Sequence, residues 1–270
     1  MRPDKAMGER GSHERRSVAF ERGVQDYDRT RGLPAEAMGA VVRFLSFELK
    51  GHQPCLEIGV GTGRIALSLA EEDVAMTGVD LSQPMLGELR RKSGGTSPFP
   101  IVVADAVRLP FADAYFGAGL AVHVLHLIPS WREALSELAR AIRRPGVLVL
   151  DIGGRGTGWW KELQERFGRE AGISPLNVGL NAGEGLDEHL ATLGAKLRRV
   201  ERIEAAEATT VAERIDRLEA GLYSFTWRVD EATRHAAAQR CRVWAERQLG
   251  QLDLPRTMSR PVLLRTYDLA

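Results

Sequence analysis

The sequence predicts an α/β fold in which a parallel sheet is covered by helices on both faces. Two observations carry this. Strand-like and helix-like segments alternate with short links between residues 55 and 151, and such alternation requires crossovers that lay helices against parallel strands. The first strand also runs into a glycine-rich turn and then a helix, as nucleotide-binding βαβ units do. With 270 residues, 44% of them hydrophobic, the chain suits one large domain, or one domain with an appended subdomain, around a real core.

Residues 1–16 mix charges, glycine and serine without periodicity and read as a disordered tail. Residues 17–50 read as an arm and a helix. Phe20, Tyr27 and Leu33 punctuate a charged stretch, and Pro34 then opens a helix with Met38, Val41, Val42, Leu45 and Leu49 at three- and four-residue steps. Gly51 stops it. Residues 51–270 read as the main domain, with strands at 55–58, 74–79, 101–104, 116–123 and 147–151. Helices fall at 64–72, 84–92 and 130–142, the last opened by the capping box Ser130-x-x-Glu133. Pro145-Gly146 turns the chain into the strand ending at Asp151.

Beyond Asp151 the regularity loosens. Gly153, Gly154, Gly156 and Gly158 form a flexible stretch before a helix carrying Trp160, Leu163 and Phe167. Leu186, Leu190 and Leu193 mark another helix, and Leu197, Val200 and Ile203 begin a strand. Thr210-x-x-Glu213 boxes a helix with Val211, Ile215, Leu218 and Leu222 inward, and Asp230 caps one that runs to about Leu249. Pro261–Tyr267 reads as an apolar strand. The helical segments at about 155–195 and 208–255 are expected to cover a pocket.

Composition removes several classes. A net charge of +1 argues against a phosphate-tracking nucleic-acid surface. Two cysteines, Cys55 and Cys241, rule out a disulfide scaffold and a multi-thiolate metal site. No apolar run reaches the ~20 residues that span a bilayer, and the polar start lacks a signal-peptide core. The expectation is a cytoplasmic protein with no nucleic-acid or membrane partner; oligomeric state is not legible.

The chemical signal is Glu57-Ile58-Gly59-Val60-Gly61-Thr62-Gly63-Arg64. The glycines permit positive φ and close approach of backbone to a ligand, and the helix that follows presents unpaired N–H groups. Asp80 ends the next strand, 19 positions beyond Gly61, where a carboxylate can accept from both ribose hydroxyls. Asp105-Ala106 follows the third strand; a carboxylate beside a free N–H can read an adenine edge. All three lie at the carboxyl ends of consecutive strands, where open α/β sheets bind ligands.

With Ala104-Asp105-Ala106, Leu109-Pro110-Phe111, Val124-Leu-His-Leu-Ile-Pro129 and Arg144-Pro-Gly-Val-Leu148, residues 55–152 resemble a class I S-adenosylmethionine-dependent methyltransferase. The group is the small-molecule one, ubiquinone/menaquinone methyltransferase-like (methyltransferase type 11). The resemblance implies a three-layer α/β/α Rossmann-like fold, its seven-stranded, mostly parallel sheet having an antiparallel last strand. It implies that Glu57 supports the glycine turn and the methionine end of S-adenosylmethionine, with Gly59, Gly61 and Gly63 forming that turn. It further implies that Asp80 contacts ribose, Asp105 and Ala106 contact adenine, and Leu81 and Met85 flank the adenosine.

His123 ends the fourth strand and can be read as a general base, a partner of cofactor or substrate, or a packed histidine. A histidine side chain titrates near ~6.5 in water, which suits base chemistry at neutral pH. His126 three residues on, Trp160 and Tyr223 are candidate substrate contacts or core residues. Tyr27 can fold over the cofactor, where an aromatic face attracts a sulfonium, or can simply anchor the arm. Arg31 and Arg64 could hold a carboxylate or be solvated. No third ligand joins the two histidines, so no metal is expected. The activity implied is methyl transfer to a small-molecule acceptor by in-line attack on the cofactor methyl. The alternatives are an NAD-dependent oxidoreductase, disfavoured because G-x-G-x-G places the third glycine one position early, and a non-catalytic S-adenosylmethionine-binding protein.

Overall fold

The computed structural model describes residues 24–153, 156–181 and 183–270. The expected tail, Phe20 and Gly154 lie outside these residues. Helices α1 (Val24–Arg31) and α2 (Ala35–Leu49) precede strand β1 (Cys55–Ile58), and then α3 (Ala66–Glu71), β2 (Met76–Asp80), α4 (Gln83–Lys92), β3 (Ile101–Val103) and β4 (Phe116–Ala121) alternate. A 3-10 turn at Leu125–Leu127 leads to α5 (Trp131–Ala141) and β5 (Ile142–Asp151). Next come α6 (Trp159–Glu170), α7 (Leu186–Thr192), β6 (Ala195–Ile203), β7 (Ala206–Thr209), α8 (Val211–Glu219), α9 (Glu231–Leu249), β8 (Arg256–Ser259) and β9 (Val262–Leu269).

Seven strands form one sheet in the order β3-β2-β1-β4-β5-β9-β6. Neighbours from β3 to β5 pair in parallel, whereas β9 runs antiparallel to both β5 and β6. The order reverses between β1 and β4, so a crevice opens outside their carboxyl ends. Because side chains alternate across a strand, β5 sends Val147 and Val149 into the layer of α2, α3 and α4. Leu148 and Leu150 go to the opposite layer, that of α5 and α7. A third apolar cluster joins α6, α8 and α9 through Trp160, Phe167, Ile215, Leu218 and Cys241, giving the cap a core of its own. Among the described residues no helix is long and apolar enough to cross a membrane.

The structure departs from the sequence expectation in four places. Residues 24–31 form a helix, α1, which showed no apolar stripe because it is short and polar. The Ser130 box does not form: Ser130 has ψ 46 and makes no side-chain cap, whereas a capping side chain needs extended backbone. Pro145-Gly146 lies inside β5, where the pairing shifts from Phe116↔Ile142 to Ala118↔Val147 and absorbs the extra residues as an irregularity. The ribbon of β7 and β8 was not foreseen.

The two later caps form as expected. Thr210 has extended backbone; its Oγ accepts from the Glu213 N–H at 3.0 Å, and the Glu213 carboxylate accepts from the Thr210 N–H at 3.1 Å. Asp230 accepts from the Thr233 N–H at 2.8 Å. Replacing Thr210 by Ala should lower unfolding stability by about 1 kcal/mol, read from the urea midpoint; an unchanged midpoint would show that the box does not hold the cap.

Candidate functional site

Two cavities meet at the carboxyl end of the sheet. The first, of about 560 Å³ including its open side, lies over the strand tips. Gly59 and Gly61 line it from the turn after β1, Asp80 and Leu81 from the end of β2, and Met85 from α4. Asp105 and Ala106 enter after β3, His123 after β4 and Tyr27 from α1. Thus nine of the residues expected around the cofactor share one wall.

The turn's shape follows from its glycines. Gly59, Gly61 and Gly63 have φ of 69°, 56° and 75°, which residues with a Cβ adopt at a cost. A Cβ on Gly59 would stand 2.3 Å from Val124 Cγ2. The Asp80 carboxylate fixes the turn to the next strand, accepting from the Gly61 N–H and the Ser82 N–H, each at 2.8 Å. Burial raises the Asp80 carboxyl, and the backbone donors oppose that shift. Glu57 and Gly63 line neither cavity. Glu57 is buried, with Oε2 lacking a hydrogen-bond partner, and burial pushes its carboxyl well up while the nearby Arg64 opposes. A Cβ on Gly63 would meet Leu89 at 2.8 Å, so this glycine lets α4 pack.

His123 lines both cavities. It adopts φ 56°, unusual for a side-chain-bearing residue and typical of strained positions at functional sites. Its Nδ1 pairs with Asp151 Oδ2. Asp151 ends β5 fully buried, and its other oxygen accepts from the Gly153 N–H at 2.8 Å. Burial pushes the Asp151 carboxyl up, but the His123 charge and hydrogen bond, with the Gly153 donor, outweigh this and hold it below its ordinary value.

The second cavity, of about 1010 Å³ including open solvent, lies between α1, the 3-10 turn after β4 and the cap. His126, Trp160 and Tyr223, the expected substrate contacts, all line it. The Trp160 and Tyr223 rings lie 5.4 Å apart. Burial pushes His126 down to about 3, with the charges of His123 and Arg31 adding and Asp151 opposing. Helix α1 borders both cavities and is tied to the glycine turn: Asp28 accepts from Thr62 Oγ and from Lys92 Nζ, both at 2.7 Å.

Comparison with known proteins now decides the family. The family model described as a methyltransferase domain matches residues 56–150. A malonyl-[acyl-carrier protein] O-methyltransferase of Geobacter sulfurreducens is 30% identical over 231 residues, covering 74% of this chain and 85% of that one. The chain belongs to the S-adenosylmethionine-dependent methyltransferases. A demethylmenaquinone methyltransferase of Beutenbergia cavernae is also 30% identical, over 48% of this methyltransferase and 55% of its own length. In fold, the chain is similar to a magnesium protoporphyrin IX methyltransferase from Synechocystis solved with S-adenosylhomocysteine. The two share a TM-score of 0.52 and 17% identity, over 67% of this chain and 87% of that one.

The nicotinamide reading of Asp80 is thereby set aside; the cofactor is S-adenosylmethionine. The first cavity fits it on chemical grounds. After its two backbone bonds the Asp80 carboxylate retains accepting capacity, and the glycine turn leaves backbone bare where a Cβ would otherwise project. Among the described residues no group of three or more His, Cys, Asp or Glu side chains could hold a metal.

Sequence reasoning passed over Asp151 and Arg260. Asp151 carried a usable signal, being a third acidic residue at a strand tip like Asp80 and Asp105. Arg260 carried none, because only the fold brings it beside Arg31. The depressed His126 makes a pH prediction. Its unfolded value is near 6.5 and its folded value about 3, so between them the unfolded chain binds the extra proton. Stability should therefore fall as pH drops below the unfolded value, by at most about 1.4 kcal/mol per pH unit for this group. His126→Gln should flatten that fall in urea melts between neutral and mildly acidic pH; parallel slopes would show that His126 does not contribute.

Proposed function

We propose that this methyltransferase holds S-adenosylmethionine in the first cavity and a small-molecule acceptor in the second, with His123 at their shared wall acting as general base. The observation that carries the reading is that His123 lines both cavities while its Nδ1 is engaged by the buried Asp151. That pairing leaves Nε2 as the nitrogen able to take a proton.

Asp80 would accept from the ribose hydroxyls, Asp105 and the Ala106 N–H would read the adenine, and Leu81 and Met85 would flank it. Gly59 and Gly61 would let backbone approach the methionine portion, with Glu57 and Gly63 supporting the turn from below. Tyr27 would present an aromatic face to positive charge. When bound, the cofactor supplies a methyl group on a positively charged sulfur. The chain's remaining work is to exclude water and align the nucleophile, which can contribute several kcal/mol of about 7–11 attainable from positioning. His123 would accept the acceptor's proton at Nε2, and the Asp151 carboxylate would stabilise the imidazolium that forms. A protic oxygen acceptor suits such a base. His126, kept neutral by burial, would offer a hydrogen bond to the acceptor without bringing a charge, while Trp160 and Tyr223 would wall its apolar part.

Asp80→Ala should weaken S-adenosylhomocysteine binding at least ~10-fold, as expected for losing hydrogen bonds to a charged group; unchanged affinity in titration calorimetry would remove the ribose assignment. His123→Ala should cut turnover with a protic acceptor by ~10²–10⁴-fold and leave cofactor affinity intact. Asp151→Asn should also lower turnover with a protic acceptor while leaving cofactor affinity intact, because the imidazolium that forms loses its counter-charge. Unchanged turnover would mean that Asp151 only supports the fold.

A further inference from the structure

The second cavity carries an electrostatic imbalance that methyl transfer does not itself require. Two guanidinium groups, Arg31 and Arg260, line it, and no acidic side chain among the described residues does. Arg31 donates to the Leu222 carbonyl at 3.1 Å and lies 4.6 Å from the centre of the Tyr223 ring. Its Nε is buried without a hydrogen-bond partner, and among the described residues no carboxylate pairs with it. Arg260 donates to the Gly32 carbonyl at 3.0 Å and reaches Glu207 at 3.2 Å. That carboxylate is shared: buried Arg214 holds it at 2.8 Å. One carboxylate thus serves two guanidinium groups, and Arg31 has none.

Burial pushes both lining guanidinium groups below their ordinary value; the charge of Arg260 adds to the shift of Arg31, while Glu207 opposes the shift of Arg260 and the charges of Arg214 and Arg64 add to it. Arginine stays charged in proteins all the same. A desolvated cation without a counter-charge is unfavourable, and an arriving anion relieves it. The bond to Leu222 and the stacking on Tyr223 direct the Arg31 guanidinium to the cap, on the side where Trp160 and Phe225 also line the cavity.

We propose that the methyl acceptor is an organic anion. Its carboxylate or phosphate group sits between Arg31 and Arg260, its apolar body lies against Trp160, Tyr223 and Phe225, and its protic group turns toward His123. This inference rests on the assignment of the second cavity to the acceptor made above.

The test titrates 1-naphthoate, 1-naphthyl phosphate and 1-naphthamide into the full chain loaded with S-adenosylhomocysteine. At least one anion should bind roughly tenfold or more tighter than the amide, as a charge-assisted pairing implies; which one does identifies carboxylate or phosphate as the anionic group. Arg31→Met and Arg260→Met should each erase the preference with S-adenosylhomocysteine affinity unchanged, and Arg31→Lys, which keeps the charge in case Arg31→Met fails to fold, should retain it. Equal binding of anions and amide, or no binding of any of the three at millimolar concentration, overturns the proposal. So does an Arg31→Met protein that loses S-adenosylhomocysteine affinity but keeps the anion preference, because Arg31 then serves the cofactor's carboxylate. If S-adenosylhomocysteine does not bind the wild type, the cofactor assignment fails on its own, and the same three titrations without it still decide this one.

Discussion

The carboxylate of Asp80 bonded to the Gly61 amide is the interaction on which the site depends. It ties the tip of β2 to the turn that follows β1, and its other oxygen caps the start of the next segment through Ser82. A glycine turn with left-handed residues is intrinsically loose, since glycine loses more conformational freedom on ordering than any other residue. Anchoring it to a buried carboxylate turns that freedom into a fixed concave surface. Burial works against the charge on Asp80, and the backbone donors at Ser82, Gly61 and Leu81 offset part of the penalty. The side chain that fixes the turn is therefore the same one proposed to accept from the ribose.

The two cavities differ in how they are built. Strand tips and the loops that follow them, all on one edge of the sheet, make most of the first. The second is closed by elements from distant parts of the chain: α1, α6, the 3-10 turn at Ser224–Arg228 and the approach to β9. Its cap has a separate apolar cluster, so residues walling the second cavity are positioned by packing that hardly involves the central sheet. Such a division lets the second cavity change while the first stays intact, as expected where function resides in sites grafted on a shared fold.

The same division decides what could be read from sequence. Asp80, Asp105 and the glycine turn were legible because local rules place them: a strand ends, a turn begins, and the polar residue at that junction faces the crevice. His123 was legible for the same reason, and its partner Asp151 obeys the rule too. Glu57 and Gly63 belong to the same motif yet lie under the surface, because a motif marks a turn and not which of its residues touch the ligand. Arg31 and Arg260 meet only through tertiary contacts over a large separation in sequence, and nothing local announces that. Helix α1 escaped detection because its eight residues, most of them polar, carry no hydrophobic period. The missed ribbon of β7 and β8 pairs segments that α8 and α9 separate.

Strand β9 lies inside the sheet, hydrogen-bonded on one side to β5 and on the other to β6, although it comes after every other described element. During synthesis, β5 and β6 must therefore wait with unpaired edges until the α8–α9 region and β9 have left the ribosome. The cap segment can collapse onto its own apolar cluster in that interval. Sheet closure is then a late event in which β9 joins β6 to the five strands β3-β2-β1-β4-β5, and a nascent chain stalled before β9 would expose strand edges prone to pairing with another molecule.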